Sequence, residues 1–344
     1  MKIGLVGYQS SGKSSLFHWL TGEEPDPSHS HTGQTAMAAV PDERFNPLCE
    51  IYQPKKTTHA SLEIQDTPGL SRKHEGNAQR LALLREAGCL VFVIGAYAGA
   101  DPAEELQSFD EDLMLADMEI VTKRIARIED SLKKPVPRSE RDTLTFELET
   151  LQAVYMALEA GTPLREEDMR KDQRKVTKAF RLLSEKPRLI FINMADDDVD
   201  AARFEALGEG ETPVLAAPVG LELELASMDH EEEAEFREEL GIEAADHDGF
   251  IRALMDASGQ MLFFTAGEKE VRTWMIAKGT TAVEAAGEIH SDIARGFVRA
   301  ETMTCSDMIR LGSERDVKAE HLARKEPKDY VIQDGDILLF LHSG

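Results

Sequence analysis

The sequence predicts a doubly wound α/β domain that is interrupted by a helical hairpin and followed by a small α+β domain. Three observations predict this architecture. Apolar runs of strand length alternate with helical segments, two long runs have heptad-like spacing, and the last third has its own strand and helix pattern. Strands that alternate with helices are typical of parallel sheets covered on both faces.

The first domain is predicted from short apolar runs. Residues 89–95 (CLVFVIG) and 188–194 (RLIFINM) are continuously apolar, as buried parallel strands are. Further strands are expected at 2–7, 60–66 and 212–217. A helix is expected at 76–86, and the polar stretch 22–34 is predicted to be a mobile loop.

The hairpin is predicted from two runs of apolar residues spaced alternately four and three apart, with Pro135 and Pro137 between them. Such spacing indicates two antiparallel helices with a short coiled-coil seam. The methionines in the runs indicate seam packing rather than a cofactor site. The predicted seam residues are Met114, Met118, Val121, Ile125, Ile128, Leu132, Leu144, Leu148, Leu151, Tyr155 and Leu158.

The last third is predicted to be a separate module. Strands are expected at 261–265, 271–276 and 337–341, with a helix at 281–289 and a tight turn at Gly335. The expected division is therefore residues 1–108 and 161–260 for the first domain, 109–160 for the inserted hairpin, and 261–344 for the final domain.

Composition restricts the possible partners. The chain has 344 residues and a formal net charge of −25, which argues against non-specific wrapping of nucleic acid, and no DNA partner is expected. Its three cysteines form no CxxC pair, so neither a zinc site nor a disulfide framework is supported. No apolar run approaches the about 18 residues of a membrane span. We expect a cytoplasmic protein with no membrane partner.

A phosphate-binding loop is predicted at Gly7-Tyr-Gln-Ser-Ser-Gly12-Lys13-Ser14, which fits GxxxxGK[ST] between a strand and a helix. The glycines let successive backbone N–H groups face a phosphate, and the following helix adds its positive end. Lys13 is predicted to reach the β- and γ-phosphates and Ser14 to bind Mg²⁺. The residues expected to contact nucleotide here are Gln9, Ser10, Ser11, Gly12, Lys13, Ser14 and Ser15. The first domain is thus a P-loop NTPase domain.

A second part of this site is predicted at Asp66-Thr-Pro-Gly69, after a predicted strand. Asp66 is expected to support the Mg²⁺ shell, and the Gly69 N–H to sense the γ-phosphate. A threonine of the preceding polar loop is expected to join them. Thr32 and Thr35 are both available, and Thr32 is preferred as metal ligand and γ-phosphate sensor.

Base recognition is predicted at Asn193-Met194-Ala-Asp196, which ends an apolar strand where GTP-binding proteins have NKxD. The Asp196 carboxylate favours guanine, whose N1–H and amino group are donors. Met194 replaces the usual lysine. The sequence therefore leaves the choice between GTP and ATP open.

A basic segment follows the hairpin. Residues 170–188 contain eight Lys/Arg against two Asp/Glu. One interpretation is a solvated helix face, and the other is a contact with RNA or a ribosome.

These motifs and the last third resemble the YchF/Obg-like ATPase family of P-loop proteins, and the resemblance covers essentially the whole chain. The most specific segments resemble the family's TGS domain, which has a ubiquitin-like fold. They are 264–274 (FTAGEKEVRTW), 285–292 (AAGEIHSD), 295–301 (RGFVRAE) and 328–336 (KDYVIQDGD). The resemblance implies slow hydrolysis of ATP or GTP and association with ribosomes. We expect the TGS-like domain and the basic segment 170–188 to hold RNA or a ribosomal protein.

The chain departs from the family at several positions. Ser10 stands where an asparagine is linked to potassium dependence, so that dependence stays open. Loop 95–106 lacks the family's histidine, and His74 is a possible substitute. Leu70 follows Gly69, so no glutamine is available there to orient water. Family members that prefer ATP carry Glu at the position of Asp196, which moves this chain towards GTP.

Two functional hypotheses follow. The first is a Mg²⁺-dependent nucleoside triphosphatase of low turnover that acts as a switch near the ribosome. The second is a nucleotide-dependent RNA- or ribosome-binding module with negligible hydrolysis. A small-molecule kinase fits less well, because such enzymes lack the paired DxxG and NxxD motifs.

Overall fold

The computed structural model describes residues 1–29, 32–73, 76–98, 101–198, 200–208, 212–240 and 244–343. The chain divides into two compact units. The first comprises Met1–Ala36 and Glu63–Ala245, and the second comprises Met37–Leu62 and Asp246–Gly344. Elements below are numbered in chain order.

The first unit is built on a twisted sheet. In spatial order its strands are β2 (Gln34–Ala39), β4 (Ser61–Asp66), β1 (Lys2–Val6), β5 (Cys89–Gly95), β6 (Arg188–Asn193) and β7 (Val214–Ala217). The pairs from β4 to β7 are parallel. The strands predicted around 2–7, 60–66, 89–95, 188–194 and 212–217 are thus confirmed.

Helices cover this sheet because its strands are apolar on both faces. Phe92 and Ile94 of β5 pack with α-helical residues on one face, and Val91 and Val93, which point the other way, are equally buried. The helices of this unit are α1 (Lys13–Thr21), α3 (Asn77–Leu83), α4 (Pro102–Leu132), α5 (Arg138–Glu159), α6 (Lys171–Lys178), α7 (Val219–Leu225) and α8 (His230–Leu240).

The inserted hairpin consists of α4 and α5, and every predicted seam residue lies in one hydrophobic cluster. Val121, Ile128 and Leu151 are almost fully buried within it. The predicted hairpin boundary at residue 109 is wrong, because it falls inside α4. The first turns of α4 pack on the sheet through Leu106 and Phe109, and the same helix then continues into the seam. Apolar periodicity predicts the helix. It does not show that the helix packs on the sheet over its first turns and on α5 over the rest.

The second unit contains a mixed sheet of β11 (Arg324–Glu326), β10 (Phe297–Thr304), β12 (Asp336–His342), β8 (Gln260–Ala266), β9 (Val271–Ala277) and β3 (Thr57–Thr58), in spatial order. β8 and β9 are antiparallel, and the last strand β12 lies parallel beside β8. A hairpin, a helix and a final strand parallel to the first is the arrangement of ubiquitin-like folds. The predicted fold class is therefore confirmed.

Helices lie on both faces of this second sheet. They are α2 (Phe45–Tyr52), α9 (His247–Ala257), α10 (Ala282–Ile289), α11 (Ser291–Arg295), α12 (Cys305–Leu311) and α13 (Glu314–Ala319). Phe45 and Leu48 of α2 share a core with Phe264, while α10 packs with Phe263 on the other face.

The predicted start of this unit at residue 261 differs from the structure. Residues 37–62 and 246–260 belong to it as well. The contribution of α2 was missed because it lies about 200 residues before β8 in the chain. Such a long-range contact leaves no local pattern. None of the helices in the described ranges is long and apolar enough to cross a bilayer.

A buried carboxylate joins α4 to the chain that leads into β6. Asp117 is fully buried, and its oxygens accept hydrogen bonds from the backbone N–H of Leu183 (3.0 Å) and of Ser184 (2.8 Å). They also accept from the Ser184 hydroxyl (2.8 Å) and from the guanidinium of Arg85 (2.9 Å). Four donors on one buried carboxylate fix this part of the first unit.

We expect Asp117→Ala to lower the free energy of unfolding by about 3–5 kcal/mol, because it leaves a mostly buried Arg85 and two backbone donors without their partner. Urea unfolding measures the change. Glu119→Ala on the exposed side of the same helix is the control and should change stability little. Equal stability losses in the two variants would contradict the role given to Asp117.

Candidate nucleotide-binding site

The loop between β1 and α1 has a backbone that requires its two motif glycines. Gly12 has φ +92°, and a Cβ there would lie 2.0 Å from the Asn193 side-chain nitrogen. A Cβ on Gly7 would lie 2.4 Å from the Val93 carbonyl oxygen. Ser10 also has a positive φ, +64°, which costs energy in a residue other than glycine. The loop is therefore held in the strained form that a phosphate-binding loop needs.

Lys13 is buried beneath this loop, with 6% of its surface exposed. Its ammonium donates to the Tyr8 carbonyl oxygen at 2.8 Å. Burial lowers the pKa of Lys13 to about 8, although the nearby carboxylates Asp66 and Glu105 oppose the shift. A phosphate oxygen in this position would favour the charged form of Lys13 and raise its pKa again.

Ser14 and Asp66 meet at the rim of the loop. The Ser14 hydroxyl donates to Asp66 Oδ2 at 2.7 Å. The other oxygen, Oδ1, is buried and has no hydrogen-bond partner among the described residues. Burial raises the pKa of Asp66. A hydroxyl beside a carboxylate with a free oxygen is a donor set that suits Mg²⁺, so these residues fit the metal predicted from the sequence.

A cavity of about 390 Å³ opens over these groups, which is within the usual size of small-molecule sites. Lys13, Ser14, Asp66 and Gly69 line it, together with Gln9 and Ser10. Thr32 is exposed and is not among the described lining residues, whereas Gln34 is. The other residues of this loop that line the cavity are Pro25, Asp26, Pro27 and His29, and the role of Thr32 stays a prediction.

The Asp66–Gly69 segment is joined to the phosphate loop by its backbone. Leu70 N–H donates to the Gly7 carbonyl (2.9 Å), and Gln9 N–H donates to the Leu70 carbonyl (3.2 Å). The Leu70 side chain is 1% exposed and packs in the core with Tyr8 and Phe109. The side chain that follows Gly69 therefore points away from the cavity.

Helix α4 touches the same segments with three of its side chains. Phe109 stacks on Tyr8 with ring centroids 4.4 Å apart. Asp112 accepts a hydrogen bond from Asn77 at 2.9 Å, and Glu105 pairs with Arg72. The start of α4 is thus packed on both the phosphate loop and the chain that follows Gly69.

The predicted base-reading residues have three different environments. Asn193 is buried and donates to the Ser11 carbonyl (3.3 Å), while its oxygen accepts from the Val219 N–H (3.2 Å). Met194 is 3% exposed and belongs to the core, so only its backbone is available to a nucleotide. Asp196 is exposed, with Oδ1 3.3 Å from where a Cβ on Gly220 would lie.

The remaining predicted contacts also lie in this region. Ser11 is 3% exposed, and its hydroxyl has no partner within the described chain. Ser15 is half-buried in the first turn of α1. His74, the proposed substitute for the family's histidine, lies outside the described residues.

Two side chains at the site were missed by the sequence analysis. The Tyr97 hydroxyl donates to the Ser10 carbonyl, which brings its ring to the phosphate loop. His29 lines the cavity, and its Nδ1 lies 3.2 Å from Asp26 Oδ2. Both lie in single 3₁₀ turns, Pro27–His29 and Ala96–Ala98, and neither turn carries a sequence motif that would point to the site.

Two family matches cover both ends of the chain. Residues 2–126 match the family described as 50S ribosome-binding GTPase. Residues 261–343 match the C-terminal domain family of YchF GTPases, described as a protein of unknown function.

Similar proteins match along nearly the whole length. The Ribosome-binding ATPase YchF of Bacillus subtilis is 34% identical over 99% of this chain and 98% of its own. The Obg-like ATPase 1 of Oryza sativa subsp. japonica is 35% identical over 99% of this chain and 91% of its own. The solved structure of the Schizosaccharomyces pombe YchF GTPase superposes with a TM-score of 0.84, at 26% identity over 99% of this chain and 97% of that one. With such identity kept over nearly full length, this chain belongs to the YchF/Obg-like ATPase family.

Proposed function

We propose that this protein binds and slowly hydrolyses a nucleoside triphosphate with Mg²⁺ and acts as a ribosome-associated switch. The observation that carries the proposal is the convergence of Lys13, Ser14, Asp66 and Gly69 on one cavity. Relatives named ribosome-binding ATPases and the match to a ribosome-binding GTPase family support the activity and the partner.

The residues divide the work as follows. Lys13 and the N–H groups of the strained loop hold the β- and γ-phosphates. Ser14 and Asp66 hold Mg²⁺, which when bound neutralises charge on the phosphates. The Gly69 N–H senses the γ-phosphate. Thr32 remains proposed as a metal ligand. For this role, the chain next to Gln34 must move so that the Thr32 side chain enters the cavity.

The Asn193 to Asp196 segment reads the base. Asn193 positions the loop, and the exposed Asp196 carboxylate is free to accept hydrogen bonds from guanine N1–H and amino groups. This chemistry places GTP slightly ahead of ATP. The names of the relatives include both an ATPase and a GTPase, so either nucleotide agrees with them.

Water activation requires a side chain other than Leu70, which is buried in the core. His29 lines the cavity and is paired with the Asp26 carboxylate, which can hold the ring in one tautomer. We propose that His29 accepts the proton of the attacking water.

Ribosome association is proposed through the TGS-like unit and the basic segment 170–188. A ribosomal partner implies a cytoplasmic protein. The second candidate function is a nucleotide-dependent binding module with negligible hydrolysis, and the burial of Leu70 is the observation in its favour.

Phosphate release separates the two candidates. Lys13→Ala should lower turnover by about 100-fold, because a charge that stabilises the transferred phosphate is removed. His29→Gln should lower kcat by a similar factor and leave KM unchanged, because it removes a proton acceptor and not a binding contact. If the wild-type rate equals that of Lys13→Ala, the binding module is the correct function.

Base choice is tested at Asp196. We expect Asp196→Glu to weaken GTP binding about 10- to 100-fold, since the longer side chain misplaces a charged hydrogen-bond acceptor, while ATP affinity is kept or improved. Parallel calorimetric titrations with GTP and ATP measure this. Asp197→Glu, a change of the neighbouring exposed carboxylate, is the matched control. An unchanged GTP/ATP ratio in Asp196→Glu would remove Asp196 from the base site.

The lowered pKa of Lys13 predicts proton uptake on binding. Near pH 8 this amine is partly neutral, and contact with a triphosphate raises its pKa, so binding of GTP or ATP takes up protons and weakens as pH rises through 8. Calorimetry at pH 8.5 in two buffers of different ionisation enthalpy measures the uptake. Lys13→Arg, charged at any such pH, should abolish it. Absence of uptake in the wild type would mean that Lys13 is fully charged before binding.

A further inference from the structure

A second cavity of the first unit lies at the opposite edge of its sheet. This cavity, about 610 Å³ in volume, is lined by residues 85–88, which lead into β5, and by Pro187, directly before β6. It therefore lies at the amino ends of these parallel strands. The phosphate-binding loop follows the carboxyl end of β1, so the two sites are on opposite edges of one sheet.

This second cavity, called the basic cavity below, is rich in positively charged residues, whereas the whole chain is acidic. It is lined by Arg85, Arg174, Lys178, Arg181 and Lys186. Only two carboxylates, Glu86 and Glu185, are among its lining residues. The chain as a whole has a net charge of −25, so a local excess of cations is not a matter of composition.

The structure holds several of these cations in place. Arg85 donates to the buried Asp117 (2.9 Å) and to the Arg181 carbonyl (3.1 Å). The Lys186 ammonium donates to the Arg85 carbonyl at 3.1 Å. Arg181 has φ +50°, a backbone conformation that costs energy, and its bond to Arg85 keeps it there. The wall of the cavity is thus preformed.

The positive charge in the cavity is only partly neutralised. Arg181 pairs with Glu86, and Arg174 lies 3.7 Å from Glu185, whereas Lys178 and Lys186 have no ion pair within the described chain. Burial, followed by the nearby Arg85 and then Arg181, lowers the pKa of Lys186, although Asp117 and Glu86 oppose the shift. The ammonium of Lys178 is exposed and has no hydrogen bond or ion pair within the described chain. An anion placed between these groups would remove their mutual repulsion.

We propose that the basic cavity binds phosphate groups of an RNA strand. The ammonium groups of Lys178 and Lys186 attract phosphate, and the exposed guanidinium of Arg181 can donate two parallel hydrogen bonds to phosphate oxygens in exchange for Glu86. The acidic remainder of the chain repels a polyanion, so contact is confined to this edge. The inference rests on the ribosome association proposed above and gives it a definite site. Because that site is on the far edge of the sheet, bound RNA leaves the nucleotide cavity open.

RNA binding is measured by fluorescence anisotropy with a labelled single-stranded RNA 12-mer at several KCl concentrations. We expect Lys178→Glu/Arg181→Glu to weaken binding at least about 10-fold and to reduce the slope of log K against log salt by about 1.4, since each lost phosphate contact contributes about 0.7. Arg181→Glu exchanges one non-glycine residue for another, so the backbone cost at this position is unchanged.

The matched control is Lys133→Glu/Lys134→Glu. These lysines are exposed directly after α4, outside the segment 170–188 and outside the cavity lining, and the charge change is identical. Equal losses of RNA affinity in both double variants, or none in the cavity variant, would overturn the inference. So would binding of inorganic tripolyphosphate in the cavity without any binding of RNA, which would identify a site for small free phosphates.

Nucleotide turnover of the same samples separates this inference from the proposed function. None of the four substituted residues lines the nucleotide cavity, so turnover should be unchanged in all variants. Normal turnover with RNA affinity lost only in the cavity variant supports the inference. Normal turnover with RNA affinity retained in that variant refutes RNA binding by the cavity and does not affect the proposed triphosphatase activity. RNA affinity lost in a protein without turnover supports the cavity and refutes the triphosphatase.

Discussion

The buried side chain of Asn193 holds the phosphate-binding loop in position, and the site depends on that contact. Its amide group joins the Ser11 carbonyl to the Val219 N–H, so one residue at the end of β6 connects the loop to the start of α7. Gly12 is required at the closest approach because any Cβ would collide with this amide. The position of Lys13 beneath the loop follows from the same geometry. A residue predicted to read the base is thus first of all a structural support.

The sequence predicted the parts of the site that are local. The spacing of Gly7, Gly12 and Lys13 is fixed by the loop itself, and the four-three spacing of the hairpin is fixed by the helix. The seam residues read from that spacing form one cluster. The parts that the sequence does not determine depend on long-range contacts. Which residue of the chain before β2 reaches the metal depends on how that chain meets Asp66, and the place of α2 depends on strands about 200 residues away.

The cations of the basic segment 170–188 lie on a helix, on a turn and on the chain that enters β6. Only Lys171–Lys178 of residues 170–188 is helical, and the following chain turns at Arg181 before entering β6. Arg85, from a distant part of the sequence, joins the same surface through the buried Asp117. Counting charges along the chain identified the segment. It could not distinguish the cations that face a cavity from those that face solvent.

Helix α4 has a mechanical consequence. Its first turns are packed on Tyr8 and on Asn77, which belong to the phosphate loop and to the chain after Gly69. The buried Asp117 holds the middle of this helix on the first unit, and about 15 residues, or about 22 Å at 1.5 Å per residue, extend beyond it. A tilt of about 5° at the packed part would displace the end of this projecting arm by about 2 Å, by the geometry of a rigid rod of that length. A movement of the phosphate loop that tilted α4 would therefore be larger at the tip of the hairpin than at the nucleotide.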